Sequence, residues 1–230
     1  LNRKDLEIDV VTTAPNRYSS FEQKAELYEV INGVNIHRIE LPTHNSGMYD
    51  QILAFFRYYL HAMKITKNSD YDAVFATSSR LFTAFLGARI ARKKGISLYL
   101  DIRDIFVDTM SDVLPSFISA FVSPILTFIE NYTFSKAKHI NLVSKGFLEY
   151  FKEKKLDCSL SFFTNGIDNE FYGVDDIRKN QMSKNKTLNI LYAGNIGEGQ
   201  GLHKILPALA SRLANRANFV VIGDGGLKKD

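Results

Sequence analysis

The sequence is poor in cysteine, proline and net charge, and each shortage excludes a class of protein. Among 230 residues there are one cysteine and five prolines. The lone Cys158 excludes a disulfide framework and makes a reducing, cytoplasmic compartment the default expectation. With 45% hydrophobic residues, the chain is not disordered. Lys and Arg exceed Asp and Glu by only 29 to 25. This small excess argues against nucleic-acid binding and fits anionic small molecules or phospholipid head groups.

The sequence also lacks a clear membrane-spanning run. Residues 113–129 carry no charge, and a run of this length is the shortest that can cross a bilayer. The run includes Pro115 and Pro124, however. The apolar residues of this run recur at helical spacing: Leu114, Phe117, Ile118, Phe121, Val122, Ile125, Leu126 and Ile129. The opposite face is hydroxylic: Ser116, Ser119, Ser123 and Thr127. The pattern predicts an amphipathic helix, with a break at Pro124 as an alternative. Core packing is the favoured interpretation of the stripe, and a membrane-facing patch is the other.

Short apolar runs alternate with helical stretches, which is typical of a parallel sheet with crossover helices. Six strands are predicted in the first part of the chain: Ile8–Thr12, Asn35–Leu41, Ala73–Thr77, Ser97–Ile102, His139–Val143 and Ser161–Thr164. Helices are predicted around the stripe from Ile52 to Met63, over Leu81–Arg92 and over Gly146–Lys155. The predicted fold class is therefore α/β, with doubly wound, Rossmann-like parallel sheets.

A polar stretch interrupts this alternation. Residues 167–186 lose the apolar period and are predicted to be a linker between a first domain, 1–166, and a second domain, 187–230. The second begins with a strand at Leu188–Ala193, a helix at Leu202–Ala214 and a strand at Asn218–Ile222. One strand–helix–strand unit cannot cover both faces of its own sheet, so we expect the second domain to be truncated. We also expect the first strand of the first domain to precede Leu1.

The strongest local signal is a glycine-rich turn with four glycines in eight residues: Gly194, Gly197, Gly199 and Gly201. Glycines let the backbone approach a ligand closely, and the following helix N-terminus favours phosphate. The turn lacks the Gly-Lys-Ser or Gly-Lys-Thr ending of a phosphate-binding loop of the NTPase kind. It matches the dinucleotide fingerprint weakly, because the sixth place is Leu202. A loop without a ligand remains an alternative.

Further short motifs follow the predicted strands in order: Thr77–Ser79, Asp101–Asp104, Val143–Ser144, Thr164–Asp168 and Ile222–Gly225. Together with Gly194–Leu202 they resemble the retaining glycosyltransferases of the GT-B fold, family 4. Within that family the sequence looks most like the branch that builds bacterial surface polysaccharides, including N-acetylfucosamine-type transferases. The resemblance covers nearly the whole chain.

The resemblance implies an acceptor-binding first domain and the start of a nucleotide-sugar-binding second domain. The implied enzyme is a hexosyltransferase that moves a sugar from a nucleotide diphosphate sugar to a lipid-linked saccharide in surface polysaccharide or O-antigen biosynthesis. It requires no cofactor, no metal and no nucleic acid, and it is cytoplasmic, peripheral on the inner membrane face. The alternatives are a non-catalytic protein that binds sugar nucleotides or lipid head groups, and a nicotinamide-dependent two-domain enzyme. We expect residues 1–230 alone to be inactive, because the resemblance places part of the site outside them.

The candidate site residues fall into three groups. Arg103 and Asp104 are the predicted catalytic pair, with Arg103 meeting anionic groups and Asp104 orienting Arg103 or the acceptor hydroxyl. An internal ion pair that fixes the loop is an equally weighted alternative. Three residues are predicted on the acceptor side: Asp101, Ser78 and Asn165. The resemblance assigns six residues to the donor: Gly194, Asn195, Gly197, Gln200, Gly201 and Lys204. Asn195 and Gln200 stand where many members have Arg and Lys.

No metal site is predicted. Asp108 and Asp112 continue the acidic series after Asp104, but no His or Cys lies nearby and the spacing matches no calcium loop.

Overall fold

The computed structural model describes residues 6–15, 25–41, 48–78, 81–107, 116–167, 169 and 187–228. The chain divides into two compact units, Leu1–Asn165 and Gly166–Asp230. The predicted linker falls outside the described residues, apart from Ile167 and Asn169.

The first unit contains seven described strands and four described helices. The strands are β1 (Ile8–Thr13), β2 (Tyr28–Ile31), β3 (Val34–Ile39), β4 (Ala73–Ser78), β5 (Ser97–Ile102), β6 (His139–Leu142) and β7 (Ser159–Ser161). The helices are α1 (Met48–Ile65), α2 (Leu81–Lys94), α3 (Ser116–Ser135) and α4 (Leu148–Glu153). The prediction for β5 matches its observed bounds, whereas β7 begins and ends earlier than predicted.

Four strands form a parallel sheet in the order β4-β5-β6-β7. Helix α2 crosses from β4 to β5 and ends before Gly95, whose φ of +69° is the left-handed conformation that favours glycine after a helix. Helix α3 crosses from β5 to β6, and α4 crosses from β6 to β7. The unit is thus mixed α/β, with a four-stranded parallel sheet flanked by helices, compatible with a Rossmann-like fold.

The main core lies between this sheet and its helices. It joins strand residues with α2, with α3 and the turn after it, and with α4: Ala76, Leu98, Leu100, Ile102, Ile140, Leu142, Ala84, Ala88, Ala91, Phe134, Ala137 and Phe151. The strand members share one face, because Ala76, Leu100 and Ile140 are cross-strand neighbours. On the opposite face Phe75 and Tyr99 are exposed. Helices on both faces, as in a doubly wound sheet, remain a prediction.

A second, three-stranded sheet has the order β1-β3-β2. Strands β1 and β3 are parallel, and β2 pairs antiparallel with β3 through a two-residue turn. The turn is formed by Asn32 and Gly33, with φ values of 51° and 78°. Two consecutive positive φ angles are typical of a type I′ hairpin, for which Asn-Gly is the preferred sequence. Strand β2 was not among the predicted strands.

Polar contacts connect β1 to the rest of the unit. The Asp9 carboxylate accepts hydrogen bonds from Asn35 Nδ2 at 2.7 Å and from the Tyr71 hydroxyl at 2.8 Å. Burial alone would raise the pKa of Asp9, but these two hydrogen bonds and the nearby His37 together lower it below its usual value. The ionised carboxylate therefore stabilises the folded first unit.

Helix α3 divides its predicted apolar stripe between core and surface. It continues through Pro124, so the alternative of a break there is wrong. Leu126 is buried, with Val122 and Ile129 packed beside it against Leu81 and Val107. The stripe residues Phe121 and Ile125 are exposed, and so is Phe128, which the predicted stripe did not include. Leu114 and the side chains of Phe117 and Ile118 lie outside the described part. No helix in the described part of the chain is long and apolar enough to cross a membrane.

A buried ion pair ties α3 to α4. Glu130 is 1% exposed. Its Oε2 accepts a hydrogen bond from the Tyr150 hydroxyl at 2.6 Å and lies 2.5 Å from Lys154 Nζ. The Lys154 ammonium also lies 4.5 Å from the centroid of the Tyr150 ring. The burial of Glu130 therefore depends on its two polar partners.

The described part of the second unit contains β8 (Leu188–Ala193), α5 (Leu202–Arg212) and β9 (Ala217–Ile222), with β8 and β9 parallel. Strand β8 has its predicted bounds, α5 ends two residues earlier than predicted and β9 begins one residue earlier. A short 3₁₀ turn, Glu198–Gln200, precedes α5. The glycine-rich turn therefore connects a strand to a helix, as predicted.

Candidate functional site

A row of polar side chains lies near the carboxyl end of the four-stranded sheet, on the face opposite the main core. Thr77, Asp101, Asn141 and Ser161 are successive cross-strand neighbours in the parallel register of β4 to β7. Because side chains alternate between the two faces of a strand, this register places all four on one face. The row brings a carboxylate, an amide and two hydroxyls into contact.

The Asp101 carboxylate is the centre of the row. Its Oδ2 accepts hydrogen bonds from Thr77 Oγ1 at 3.0 Å and from Arg103 Nε at 2.9 Å. Its Oδ1 accepts one from Asn141 Nδ2 at 2.7 Å. Asp101 is 6% exposed, so the carboxylate is almost fully enclosed by protein donors. An ionised carboxylate accepts from several donors at once, and a charge-assisted hydrogen bond to Arg is among the stronger kinds.

Arg103 extends from this carboxylate towards solvent. Its side chain is 46% exposed, its Nε also contacts Thr77 Oγ1 at 3.0 Å, and its Nη1 donates to Asn165 Oδ1 at 2.6 Å. The guanidinium is therefore held from two sides while part of it remains open to solvent. A positioned, half-exposed guanidinium can bind a phosphate or a carboxylate.

The structure brings together three of the predicted first-domain site residues: Asp101, Arg103 and Asn165. The side chain of Ser78 lies on the buried face of β4, and its carbonyl oxygen accepts a hydrogen bond from the Arg103 amide at 3.0 Å. Asp104 is exposed. In the described residues the ion pair of Arg103 is with Asp101, so Asp101 has the orienting role predicted for Asp104. A contact between Asp104 and an acceptor hydroxyl remains a prediction.

Three residues of the polar row were missed by the sequence analysis: Thr77, Asn141 and Ser161. Thr77 and Asn141 both donate to Asp101. The sequence signal that could have identified Thr77 is the alternation of side chains along a strand, since Thr77, rather than Ser78, shares a face with Asp101. The neighbouring serine was predicted instead, because the motif alone does not show which face of the strand each of its side chains occupies.

Asn141 is held in one orientation by the backbone. Its Oδ1 accepts from the Phe163 amide at 2.7 Å and from Ser161 Oγ at 3.0 Å, and its Nδ2 donates to the Phe163 carbonyl at 3.0 Å. His139 continues the network, with Nε2 lying 2.8 Å from Ser161 Oγ. This orientation leaves Asn141 Nδ2, a donor, facing Asp101. The network therefore supports the negative charge of that carboxylate.

The glycine-rich turn of the second unit lies against the loop that follows β9. The amides of Gly194 and Ile196 donate to the carbonyls of Ile222 and Asp224, both at 2.9 Å. A Cβ built on Gly223 would lie 1.8 Å from the Gly194 carbonyl oxygen, a distance that no side chain tolerates. Gly223 therefore permits the close approach of the two loops, and each loop fixes the other.

The two amide side chains predicted to replace the family's Arg and Lys contact each other. Asn195 Nδ2 donates to Gln200 Oε1 at 3.0 Å, and the Gly197 amide donates to the same oxygen at 3.1 Å. The turn is thus fixed by its own side chains. Because neither side chain is charged, the two amides add no positive charge to the turn.

Helix α5 begins without a side-chain cap. Its N-cap is Gly201, with a φ of +62°, and no side-chain hydrogen bond caps the end. The amides of Lys204 and Ile205 both donate to the Gly201 carbonyl. The first amides of a helix have no partner within it, so those of Leu202 and His203 remain available to a ligand. Lys204 lies exposed in the first turn.

The remaining acidic and histidine residues form no metal centre in the described ranges, where no three His, Cys, Asp or Glu side chains are grouped to hold an ion. Asp108 and Asp112 lie outside those ranges. No known protein-family model matches the chain, and no curated protein matches its sequence.

Proposed function

We propose that the chain forms part of a retaining glycosyltransferase of the GT-B fold, family 4. It would transfer a sugar from a nucleotide diphosphate sugar to a saccharide acceptor in surface polysaccharide or O-antigen biosynthesis. The observation that carries the proposal is the glycine-rich turn from Gly194 to Gly201, which leads from β8 into the uncapped N-terminus of α5. The order of the other motifs along the chain supports it.

The turn would bind the diphosphate of the donor. Backbone amides at a helix N-terminus, with the positive end of the helix dipole, favour anions. The free amides of Leu202 and His203 and the ammonium of Lys204 supply three donor groups within one helical turn. Asn195 and Gln200 would act indirectly, because their mutual hydrogen bond fixes the backbone rather than neutralising phosphate. The loop would stabilise negative charge as the nucleotide diphosphate leaves.

Arg103 would bind a second anionic group. Its contacts with Asp101, Thr77 and Asn165 fix the guanidinium before a ligand arrives, which lowers the conformational entropy lost on binding. Asp104 would contact the acceptor hydroxyl. The hydroxyl oxygen would bond to the anomeric carbon on the face from which the diphosphate leaves, as the bond from that carbon to the phosphate oxygen breaks and the hydroxyl proton passes to the departing diphosphate. In this proposal Asp101 is a positioning residue, because its carboxylate acts through Arg103.

The proposed acceptor is a saccharide carried on an isoprenoid diphosphate, with the protein peripheral on the inner face of a bacterial membrane. The exposed apolar side chains of α3, Phe121, Ile125 and Phe128, support this choice of acceptor. No metal or cofactor is required in the proposed reaction, since helix and backbone donors stabilise the leaving group.

The glycine turn gives a direct test with a matched control. At Gly201 the positive φ makes Val strained, and at Gly197 a Cβ would lie 2.9 Å from Asn195 Nδ2. At Gly199 nothing lies within 4 Å of a built Cβ. Titration calorimetry with uridine, guanosine and deoxythymidine diphosphate sugars should show donor binding that Gly197→Val and Gly201→Val abolish and Gly199→Ala retains. The chelator EDTA should leave binding intact.

Two results would count against the donor site. One is unchanged affinity in the Gly201→Val protein, with circular dichroism showing an unaltered fold. The other is loss of binding in EDTA. The alternative of a non-catalytic binding protein is favoured by one observation, the absence of Arg or Lys between Gly194 and Gly201. Release of sugar from the donor by the full-length enzyme distinguishes that alternative from a transferase.

A further inference from the structure

The outward sides of α1 and α3 carry large apolar side chains in contact with solvent, and the outward side of α2 carries exposed cations. We name these outward sides the helix surface. On α3 the exposed fractions are 80% for Phe121, 61% for Ile125 and 73% for Phe128. On α1 three further side chains are more than half exposed: Leu53, Phe56 and Leu60. An apolar patch of this kind on a folded unit marks an interaction site.

The three helices lie side by side, with α2 in the middle. The rings of Phe55 on α1 and Phe82 on α2 are 4.9 Å apart. The rings of Phe85 on α2 and Tyr132 on α3 are 5.8 Å apart. The apolar residues of α1 and α3 therefore belong to one surface, with α2 between them.

Each apolar row is followed by cations near the C-terminal end of its helix. On α3, Phe121, Ile125 and Phe128 are followed on the same helical face by Tyr132. Arg92 Nη1 donates to the Tyr132 hydroxyl at 3.3 Å, and Lys136 Nζ lies 5.7 Å from the centre of that ring. On α1 the spacing places Lys64 on the face of Leu53 and Leu60.

The helix surface is strongly cationic. The sequences of the three helices contain six Lys and Arg: Arg57, Lys64, Arg89, Arg92, Lys93 and Lys94. They contain two acids, Asp50 and Glu130, and Glu130 is buried against Lys154. The cations concentrate towards the C-terminal helix ends, whereas the exposed phenylalanines begin nearer the N-terminal ends.

The uneven distribution of cations and phenylalanines along the helices relates the helix surface to the candidate site. Crossover helices run antiparallel to the parallel strands that they connect, so the N-terminal ends of α2 and α3 lie at the carboxyl end of the sheet. Arg103 follows β5 at that same end. The apolar portion of the helix surface is therefore nearer to Arg103 than the cationic portion.

We infer that the helix surface docks on an anionic lipid bilayer, with its phenylalanines and leucines inserted at the head-group boundary and its cations against the phosphates. Apolar insertion combined with Lys and Arg is how peripheral helices bind anionic membranes. The choice of a bilayer as the occupant rests on the proposed lipid-linked acceptor. A second copy of the chain fits less well, because it would bring a second surface of the same positive charge to the contact.

Vesicle flotation tests the inference. The chain is mixed with vesicles of phosphatidylcholine alone, or of equal parts phosphatidylcholine and phosphatidylglycerol. Binding is expected only to the anionic vesicles and should fall as salt is raised. Replacing Phe121 and Phe128 together by Ser should weaken binding about tenfold or more. The control Phe75→Ser changes a side chain that is 69% exposed on β4 and should leave binding unchanged.

The cations are tested in the same assay. Replacing Arg92 and Lys93 together by Gln should weaken binding about tenfold to thirtyfold, since each basic residue near an anionic surface contributes a similar share of the binding free energy. The control Lys152→Gln removes an exposed cation of α4, outside the helix surface. It should change binding by less than about threefold.

A fluorescence measurement covers the case in which the serine variants do not fold. The chain contains no tryptophan, so Phe121→Trp introduces a single reporter in the exposed apolar row. Its emission should shift to the blue with anionic vesicles and be quenched by brominated lipid. The emission of the control Phe75→Trp should stay unchanged.

Three results would overturn the inference: no flotation of the parent chain, flotation that the paired phenylalanine change leaves intact, or a dimer in sedimentation that this change dissociates. The last would show that a second copy occupies the surface. Donor titration separates this inference from the proposed function. Donor binding without flotation refutes membrane docking alone, whereas flotation without binding of any of the nucleotide sugars refutes the donor site at the glycine-rich turn, which carries the proposed function.

Discussion

Replacing Asp101 by Asn should destabilise the first unit far more than the same change at Asp104. The substitution preserves shape and removes the charge, so it tests the polar row rather than core packing. All three donors to Asp101 face its oxygens: Thr77, Arg103 and Asn141. An asparagine would turn an NH₂ group towards one of these donors in either orientation.

The expected magnitude follows from the fixed partners. Asn141 cannot turn to accept, because the Phe163 amide occupies its Oδ1. A lost hydrogen bond to a charged group costs about 1.5–3 kcal/mol, and an unsatisfied buried donor costs about 1–3 kcal/mol. The exposed part of the Arg103 guanidinium can regain water, which reduces the sum. We expect the free energy of unfolding to fall by about 2–4 kcal/mol, or roughly 5–15 °C in Tm.

Urea unfolding followed by circular dichroism measures this change. The control Asp104→Asn alters an exposed residue and should shift the free energy of unfolding by less than about 0.5 kcal/mol. Thr77→Val removes one of the three donors and should cost about 1 kcal/mol. The reasoning is refuted if Asp101→Asn costs no more than Asp104→Asn, since the carboxylate would then not hold the network together.

Three further predictions concern other parts of the first unit. Lys154→Met should cost about 3–5 kcal/mol in urea unfolding, because it leaves the buried Glu130 unpaired, whereas Lys152→Met at an exposed pair should cost under about 1 kcal/mol. The lowered pKa of Asp9 contributes stability that is present above its unfolded pKa and is lost as the pH falls through the folded pKa. Stability measured from pH 6 down to about pH 2 should therefore fall less steeply in Asp9→Asn, and equal slopes would contradict this. Burial and a neighbouring carboxylate raise the pKa of Cys158, so iodoacetamide at pH 7 should react with it several-fold more slowly than with free cysteine; an equal rate would show that the thiol is not protected.

The bounds of an element could be predicted closely where flanking residues in the sequence mark its ends. Strand β5 lies between Gly95, which ends α2, and the polar Arg103, and its predicted bounds match. Strand β2 carried an equally strong signal, the Asn-Gly pair at 32–33, which the apolar-run analysis did not use. Its residues, Tyr28–Ile31, are too few to form a clear apolar run. Turn chemistry was therefore more informative than strand composition at this position.

The candidate site was predicted in part, for a reason of geometry. Strand-end motifs identified Asp101, Arg103 and Asn165, because the carboxyl ends of parallel strands meet at one edge. The partners Thr77 and Asn141 depend on register between strands, which a single sequence does not reveal. Asn195 and Gln200 were predicted as phosphate ligands from their positions in the motif. Their mutual hydrogen bond depends on the path of the turn between them, which spacing alone does not define.

The stripe on α3 shows why periodicity leaves the choice between core and membrane open. Apolar residues spanning half of a helix can serve a core on one side and a second apolar environment on the other, because a core contact covers only part of the helix circumference. Here Leu126 faces the core while Ile125, one residue earlier, is exposed. The core interpretation therefore holds for Leu126 and its neighbours, whereas membrane contact of the exposed residues stays a prediction. Of the residues on α3, the bilayer proposal uses only the exposed ones. Substitutions of these residues therefore probe docking without opening a cavity in the core.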